Sequence, residues 1–264
     1  MRPSCRQTAA VPRDLDAVLA DMDSVLEQLP EGDPLRAFVS TYRRTTVAVA
    51  DKIAAKAFVD PDWVERWDVA FADLYLGPLR ESRAGRPVPG PWGVAFSYAR
   101  TDPGQPLLRH LLLGMNAHIN YDLPQALLAV ITDEEFDDPR VRTDRGEDHR
   151  RVDDILSSRV SAEDAELDKA GATRSLKDRI LQPANRAASR RFLRESRRKV
   201  WANAVVLSAA RRNGQAAYDA ALRSLESLSE AKVSELVRPG PVLLRLGVRG
   251  FGVLLPGATL VKVD

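Results

Sequence analysis

Apolar residues recur at helical spacing through most of the chain, and alternating strand-like runs flanked by hairpin turns are nearly absent before residue 238. The pattern predicts an all-α protein. "RDLDAVLADMDSVLEQL" (13–29) reads as a first helix and "GDPLRAFVSTYRRTTVAVADKIAAKAF" (32–58) as a second, with Asp33 placed to cap it and Pro34 at the tolerated first position. "DPDWVERWDVAFADLYLGPLRE" (60–81) repeats the Asp-Pro opening. Its Trp63, Trp67, Phe71 and Tyr75 recur every four residues, which favours a packing ridge over a cofactor-stacking surface. "AGRPVPGP" (84–91) is a loop, and the fourth helix starts near Pro106. "TDEEFDDPRVRTDRGED" (132–148) is densely charged and poor in apolar residues, as a surface connection would be. Helical periodicity returns in "HRRVDDILSSRVSAEDAELDKA" and continues after Gly171 through "SLKDRILQPANRAASRRFLRESRRKVWANAVVLSAARR". Asn213-Gly214 is a helix stop, and "QAAYDAALRSLESLSEAKVSELV" supplies the last helix.

This periodicity defines one multi-helix bundle over residues 13–237, preceded by a flexible terminus (1–12). The tail 238–264 is apolar, rich in glycine and broken by Arg245 and Arg249, which argues against a membrane span. It is expected to dock on the bundle or form a short hairpin, with contact to a membrane surface or a partner as the alternative.

"LLLGMNAHINYDLPQALLAV" (111–130) is apolar on every side, so it should be the central, buried helix. It nonetheless contains Asn116, His118, Asn120, Tyr121 and Asp122. A carboxylate in an apolar interior must find a partner, take up a proton or bind a metal. His118 precedes Asp122 by four residues, on the same stripe of the helix. Gly114, one turn earlier, leaves open space above His118. Pro124 removes the partner of the Asn120 carbonyl and predicts a kink beside the cluster.

The chain has three histidines, His110, His118 and His149, all within one short window. Asp153 follows His149 as Asp122 follows His118. Two such pairs on facing helices would offer His118, Asp122, His149 and Asp153 to a divalent ion (Zn, Mg or Mn). The alternative is a hydrogen-bonded network that pins helices together.

Composition narrows the setting more than the chemistry. With 39 basic and 37 acidic residues the net charge is +2, which gives no reason to expect a nucleic-acid partner. A hydrophobic fraction of 44% in 264 residues supports a real core. One cysteine, Cys5, excludes an internal disulfide, and no signal-like run opens the chain, so a cytoplasmic protein is expected.

"LLLGMNAHINYDLPQAL", with "FADLYL", "DHRRVDDIL" and "RRKVWANAVVL", resembles the actinobacterial domain-of-unknown-function family 5995, whose most recognisable element is a Gly-Met-Asn-Ala-His-Ile-Asn-Tyr-Asp-Leu string. The resemblance runs over roughly residues 15–235. It implies that Asn116, His118, Asp122, Asp148, Asp153 and Trp201 form one constellation, but it brings no activity with it. The family pattern often has Asn at the position of Asp153 and an aromatic residue at that of His149, a departure that weighs against His149 as a ligand.

Three readings follow. The first is a metal-assisted hydrolase of a small ester or phosphoester, with Asn116, His118, Asp122 and Asp148 as catalytic groups. The second is an isoprenoid-diphosphate cyclase or lyase. There "DDILSSRVSAED" would loosely serve as a magnesium motif and "DEEFDD" (133–138) as a second acidic cluster, with Arg194 and Arg198 in the row Arg190, Arg194, Arg197 and Arg198 holding the diphosphate. Tyr121 and Trp201 complete the ligand-binding set for a small molecule. The third is a non-enzymatic binding or scaffold protein with a structural polar network.

Overall fold

The computed structural model describes residues 13–169, 195–240 and 242–260. The terminus 1–12, the 175–194 part of the helix expected over 175–212, and Arg190 and Arg194 within it lie outside the described residues. Those described form an all-α bundle, with no strand among them.

Helix α1 (Leu15–Gln28) is capped by the Asp14 side chain, which accepts from Ala17 N at 2.9 Å. Helix α2 (Leu35–Ala54) begins one residue after Pro34, with Asp33 accepting from Leu35 N. It stops earlier than its periodicity suggests, because Lys56 takes a positive φ of 53° and Phe58 turns back into the core. Helix α3 (Pro61–Arg83) opens on Asp60, whose side chain accepts from Trp63 N at 3.0 Å.

An unexpected helix, α4 (Gly90–Thr101), follows the loop. Its buried residues Trp92, Ala95, Phe96 and Ala99 recur at spacings of three and four, a stripe that "GPWGVAFSYART" carries but that its glycines and prolines disguise. Then come α5 (Leu107–Ala117), a five-residue π-turn (His118–Asp122) and α6 (Leu123–Val130). This run packs against α2, α3 and α4. It is the central helix that its all-round apolar surface demands.

The charged stretch 132–148 is not a loose connection. It forms α7 (Asp133–Asp137), held by a capping box between Thr132 and Glu135, and the start of α8 (Pro139–Lys169). Asp133 accepts from Ser208 Oγ and the Arg211 guanidinium, so the acidic cluster is tied to the helix over 195–212 (α9). Gly214, at φ +104°, separates α9 from α10 (Gln215–Val237), which packs on α4 and α5.

The tail forms a short helix, α11 (Val242–Arg249), and then an extended run, not a hairpin. Phe251, Val253 and Leu255 of that run are buried, so its apolar character is used in the core. Among the described residues no helix is long and apolar enough to cross a membrane.

Candidate functional site

The polar residues of the central helix are two clusters rather than one. Positions two apart on a helix point to nearly opposite sides, so Asn116 and Asn120 face one way while His118 and Asp122 face the other.

Asn116 and Asn120 hold the tail. Their side-chain amides both donate to the carbonyl of Phe251, at 3.2 and 3.1 Å, and Val253 N donates back to Asn120 Oδ1 at 3.2 Å. Asn203 on α9 repeats the device, donating to the Val253 carbonyl and accepting from Leu255 N. The carboxamides thus do for the extended tail what a neighbouring strand would do, satisfying backbone groups that burial would otherwise orphan. Gly252 is pressed against α9 so closely that a Cβ there would stand 2.9 Å from Ser196 Cα. Asn116, expected among the catalytic groups, is tied to the tail through its amide nitrogen, while its Oδ1 is buried with no hydrogen-bond partner.

His118 and Asp122 form a dyad on the other side. Nδ1 lies 2.8 Å from Asp122 Oδ2, and that same oxygen accepts from Trp92 Nε1 at 2.8 Å. Both side chains are buried. The imidazole stacks on Phe71, with ring centroids 3.6 Å apart and planes 5° from parallel, and Tyr42 approaches at 4.7 Å. Phe38, Tyr75 and Trp92 complete the enclosure, each with its ring centroid 5.9 Å from that of the imidazole. The α3 stripe is therefore more than a ridge, because Phe71 and Tyr75 wall the dyad. His118 Nε2 and the Tyr42 and Tyr75 hydroxyls are buried with no hydrogen-bond partner. Burial pulls the imidazole pKa far down; it pushes the Asp122 carboxyl far up, against the opposing hydrogen bond from Trp92.

The space above His118 is not open. Phe38 fills it, and a Cβ added to Gly114 would lie 2.7 Å from that ring. Gly114→Ala is accordingly expected to cost about 1–3 kcal/mol in chemical denaturation, because Phe38 has to shift within a packed wall. A change of less than about half a kcal/mol would mean that the ring moves freely.

The second His-Asp pair does not join the first. His149 stacks on Trp67 at 5.5 Å and meets Trp201 edge-on at 5.7 Å. Asp153 pairs with Arg197, whose guanidinium also donates to the His149 carbonyl at 3.1 Å and lies over Trp67. Among the described residues no group of three or more His, Cys, Asp or Glu side chains comes together as a metal cradle. The four expected ligands His118, Asp122, His149 and Asp153 are parted because Asp153 is engaged by a cation and His149 lies in an aromatic sandwich.

Other expected site residues are also employed elsewhere. Asp148 is fully buried and accepts from the backbone N–H groups of Val59 and Asp60, at 2.7 and 2.9 Å, so it fixes the turn into α3 and is not a free base. Tyr121 has Glu226 of α10 as its nearest electrostatic neighbour, then Asp122 of the dyad, and its hydroxyl hydrogen-bonds with the Gln125 side chain. Trp201 packs on His149 and Phe136. Arg198 is exposed, which removes the described half of the diphosphate clamp.

Periodicity did not single out Trp92, Tyr42 or Asp68, and Arg197 entered only in the arginine row offered to a diphosphate. Asp68 is the most informative of these. Burial pushes its carboxyl pKa up to about 7 even though Arg197 opposes the shift, and the charges of Asp68 and Asp122 both act on the Tyr42 hydroxyl. A buried polar seam thus runs from Arg197 and Asp68 past Tyr42 to the dyad.

Searches of curated proteins and of solved structures find no match. A family model does match, over residues 15–239, which takes in the dyad, the seam and most of the bundle, and the chain therefore belongs to the family of unknown function DUF5995.

Proposed function

We propose that the protein is an acid–base enzyme of small uncharged carbonyl compounds, an ester being the simplest case, with His118 as the proton-transfer residue and Asp122 as the group that orients it. The observation that carries this reading is the unpartnered, buried Nε2 of a histidine whose other nitrogen is held at 2.8 Å by a carboxyl. A buried ring nitrogen left without a partner costs about 1–3 kcal/mol, a cost that a bound substrate or water would offset.

The opposed pKa shifts define how the pair would work. With Asp122 protonated and the imidazole neutral the dyad has no net charge, the state burial favours. When the carboxyl donates to Nδ1, Nε2 carries the ring hydrogen and offers it to a substrate oxygen. When Nε2 passes that hydrogen to the substrate and the carboxyl passes its own proton to Nδ1, the dyad is left as a carboxylate accepting from Nδ1–H, with Nε2 a base able to take a proton from water. The π-turn supports this reading, because such turns frequently occur at functional sites and this one spans the dyad. An uncharged substrate is favoured because the buried cation of the seam, Arg197, is already engaged by Asp153 and the His149 carbonyl.

A panel of neutral aryl and alkyl esters, with His118→Gln as control, tests the reading. Saturable hydrolysis by the wild type that falls about 10²–10⁴-fold in the variant is expected. Turnover no greater than that of His118→Gln across the panel would leave the competing reading, a scaffold whose polar groups only tie helices together. That reading is favoured by the complete satisfaction of Asp122 Oδ2 by Trp92 and His118.

A further inference from the structure

The polar seam beside the dyad holds four side-chain groups that are buried and, among the described residues, make no hydrogen bond: His118 Nε2, the hydroxyls of Tyr42 and Thr46, and Asp68 Oδ2. Tyr42 and Thr46 stand one turn apart on the buried face of α2, and Asp68 stands one turn before Phe71 on α3, the ring that stacks on the imidazole. A helical threonine commonly returns its hydroxyl to the carbonyl one turn back, as Thr45 does to Thr41 at 2.9 Å; Thr46 does not. Asp68 differs from the other three in reaching the surface, since its Oδ2 is enclosed while the residue as a whole is half-buried.

These groups are in electrostatic reach of one another. The Tyr42 ring centroid lies 4.7 Å from that of the imidazole, and of the charges acting on its hydroxyl that of Asp68 is foremost, ahead of Asp122 and Asp73. Asp73 is paired with Arg13 at 2.7 Å, whereas Arg197, the cation that faces Asp68, is engaged by Asp153. The Tyr75 hydroxyl is orphaned too, but its ring stands further from the imidazole, at 5.9 Å, and the carboxylate that acts on it, Asp33, already accepts from Leu35 N. Orphaned groups so placed each carry a desolvation cost that a shared buried water offsets.

We infer, on the acid–base reading of the dyad, that the seam is a proton relay in which buried waters join His118 Nε2 to the Tyr42 hydroxyl and that hydroxyl to the Asp68 carboxyl, which exchanges protons with solvent. A dyad walled by aromatic rings needs such a route, because giving up its hydrogen leaves a carboxylate in an apolar interior. The Asp68 carboxyl then passes its proton to the adjoining water, which passes one of its own to the Tyr42 oxygen as the Tyr42 hydrogen leaves through the second water for Nε2. Nδ1 returns its proton to Asp122, Tyr42 and both waters are left as they were, and the Asp68 carboxylate takes a proton from solvent. With its pKa pushed up to about 7, Asp68 both gives and takes a proton near neutrality.

Exchange of the His118 ring hydrogen with water, followed by NMR in full-length protein carrying isotopically labelled histidine and tryptophan, tests the relay without any substrate. Tyr42→Phe removes only an unpartnered hydroxyl and Asp68→Asn keeps the shape of its side chain; each is expected to slow that exchange about 10²-fold. The Trp92 indole hydrogen, donated to Asp122 but off the relay, should keep its wild-type rate in both variants, whereas a change in how often the fold opens would move both hydrogens. Relayed exchange without turnover on the ester panel would strike the proposed reaction and keep the relay; turnover with exchange unaltered in both variants would strike the relay and keep the reaction. If Asp68→Asn does not fold, Tyr42→Phe alone decides. The inference is overturned if neither variant slows the His118 hydrogen, if the Trp92 hydrogen slows to the same degree, or if Tyr75→Phe slows the His118 hydrogen as much as Tyr42→Phe does.

Discussion

Arg197→Ala is expected to cost about 3–5 kcal/mol, the largest loss of any single substitution proposed for this fold. The guanidinium is 2% exposed, pairs with Asp153, donates to the His149 carbonyl and lies over the Trp67 ring. Burial pulls its pKa down to about 9, which still leaves it charged at neutral pH. Removing it strands the Asp153 carboxylate and takes away the one charge that lowers the pKa of Asp68. Asp68 would respond by holding its proton to higher pH. The remedy follows from the same physics: Arg197→Met combined with Asp153→Leu removes both charges and should recover much of the loss, because an apolar pair of similar volume avoids the desolvation cost of the ions. Urea denaturation of the single and double variants measures both effects. A single-variant loss under about 1 kcal/mol would show that the guanidinium reaches water and that the pair behaves as a surface one.

The helical class and the central position of residues 107–130 were legible because an all-round apolar surface requires neighbours on every side. The cluster within it was legible as buried polar groups but not as a single site. The spacing that pairs His118 with Asp122 also pairs Asn116 with Asn120 on the opposite side, and each pair answers to a different neighbour. Asp148 and Asp153 looked like free carboxylates because their partners, the amides of Val59 and Asp60 and the guanidinium of Arg197, are distant in sequence. Trp92 could have been found. The apolar stripe through Trp92, Ala95, Phe96 and Ala99 is regular, but the "PVPGP" before it reads as loop and conceals a helix that begins inside the run. The kink was expected from Pro124, whereas the backbone departs from α geometry earlier, as a π-turn over His118–Asp122 that closes from Leu123 N to the His118 carbonyl. Asp68 could not be read as exceptional, since an aspartate in a charged, amphipathic helix is ordinary until burial and Arg197 are seen.

The buried ionisable groups predict an unusual dependence of stability on pH. His110, His118 and His149 all have pKa values lowered from 6.5 by burial. As pH falls through 6.5 the unfolded chain takes up protons that the fold refuses, so these groups lose stability towards acid. Asp68 and Asp122 act in the opposite sense. Their carboxyl pKa values are raised from 3.8, to about 7 for Asp68 and well above 3.8 for Asp122, mainly by burial. Their contribution is fully present below 3.8 and is lost as pH rises through the folded values, because the unfolded chain ionises while the fold holds its protons. Between 3.8 and 6.5 the two trends oppose one another. Above 6.5 the histidines have ceased to contribute and the carboxyls have not, so the melting temperature should fall between pH 6.5 and 8.5. A drop of about 2–4 °C per pH unit for each carboxyl still protonated in the fold is expected. Asp122→Asn keeps an oxygen that can accept from Trp92 but cannot ionise, and should flatten this alkaline limb, while Asp68→Asn should flatten only its part near pH 7. Melting curves of the wild type and both variants across that range measure the limb directly. A wild-type melting temperature that stays level from pH 6.5 to 8.5 would mean that both carboxyls are ionised inside the fold, and the net-neutral dyad would be wrong.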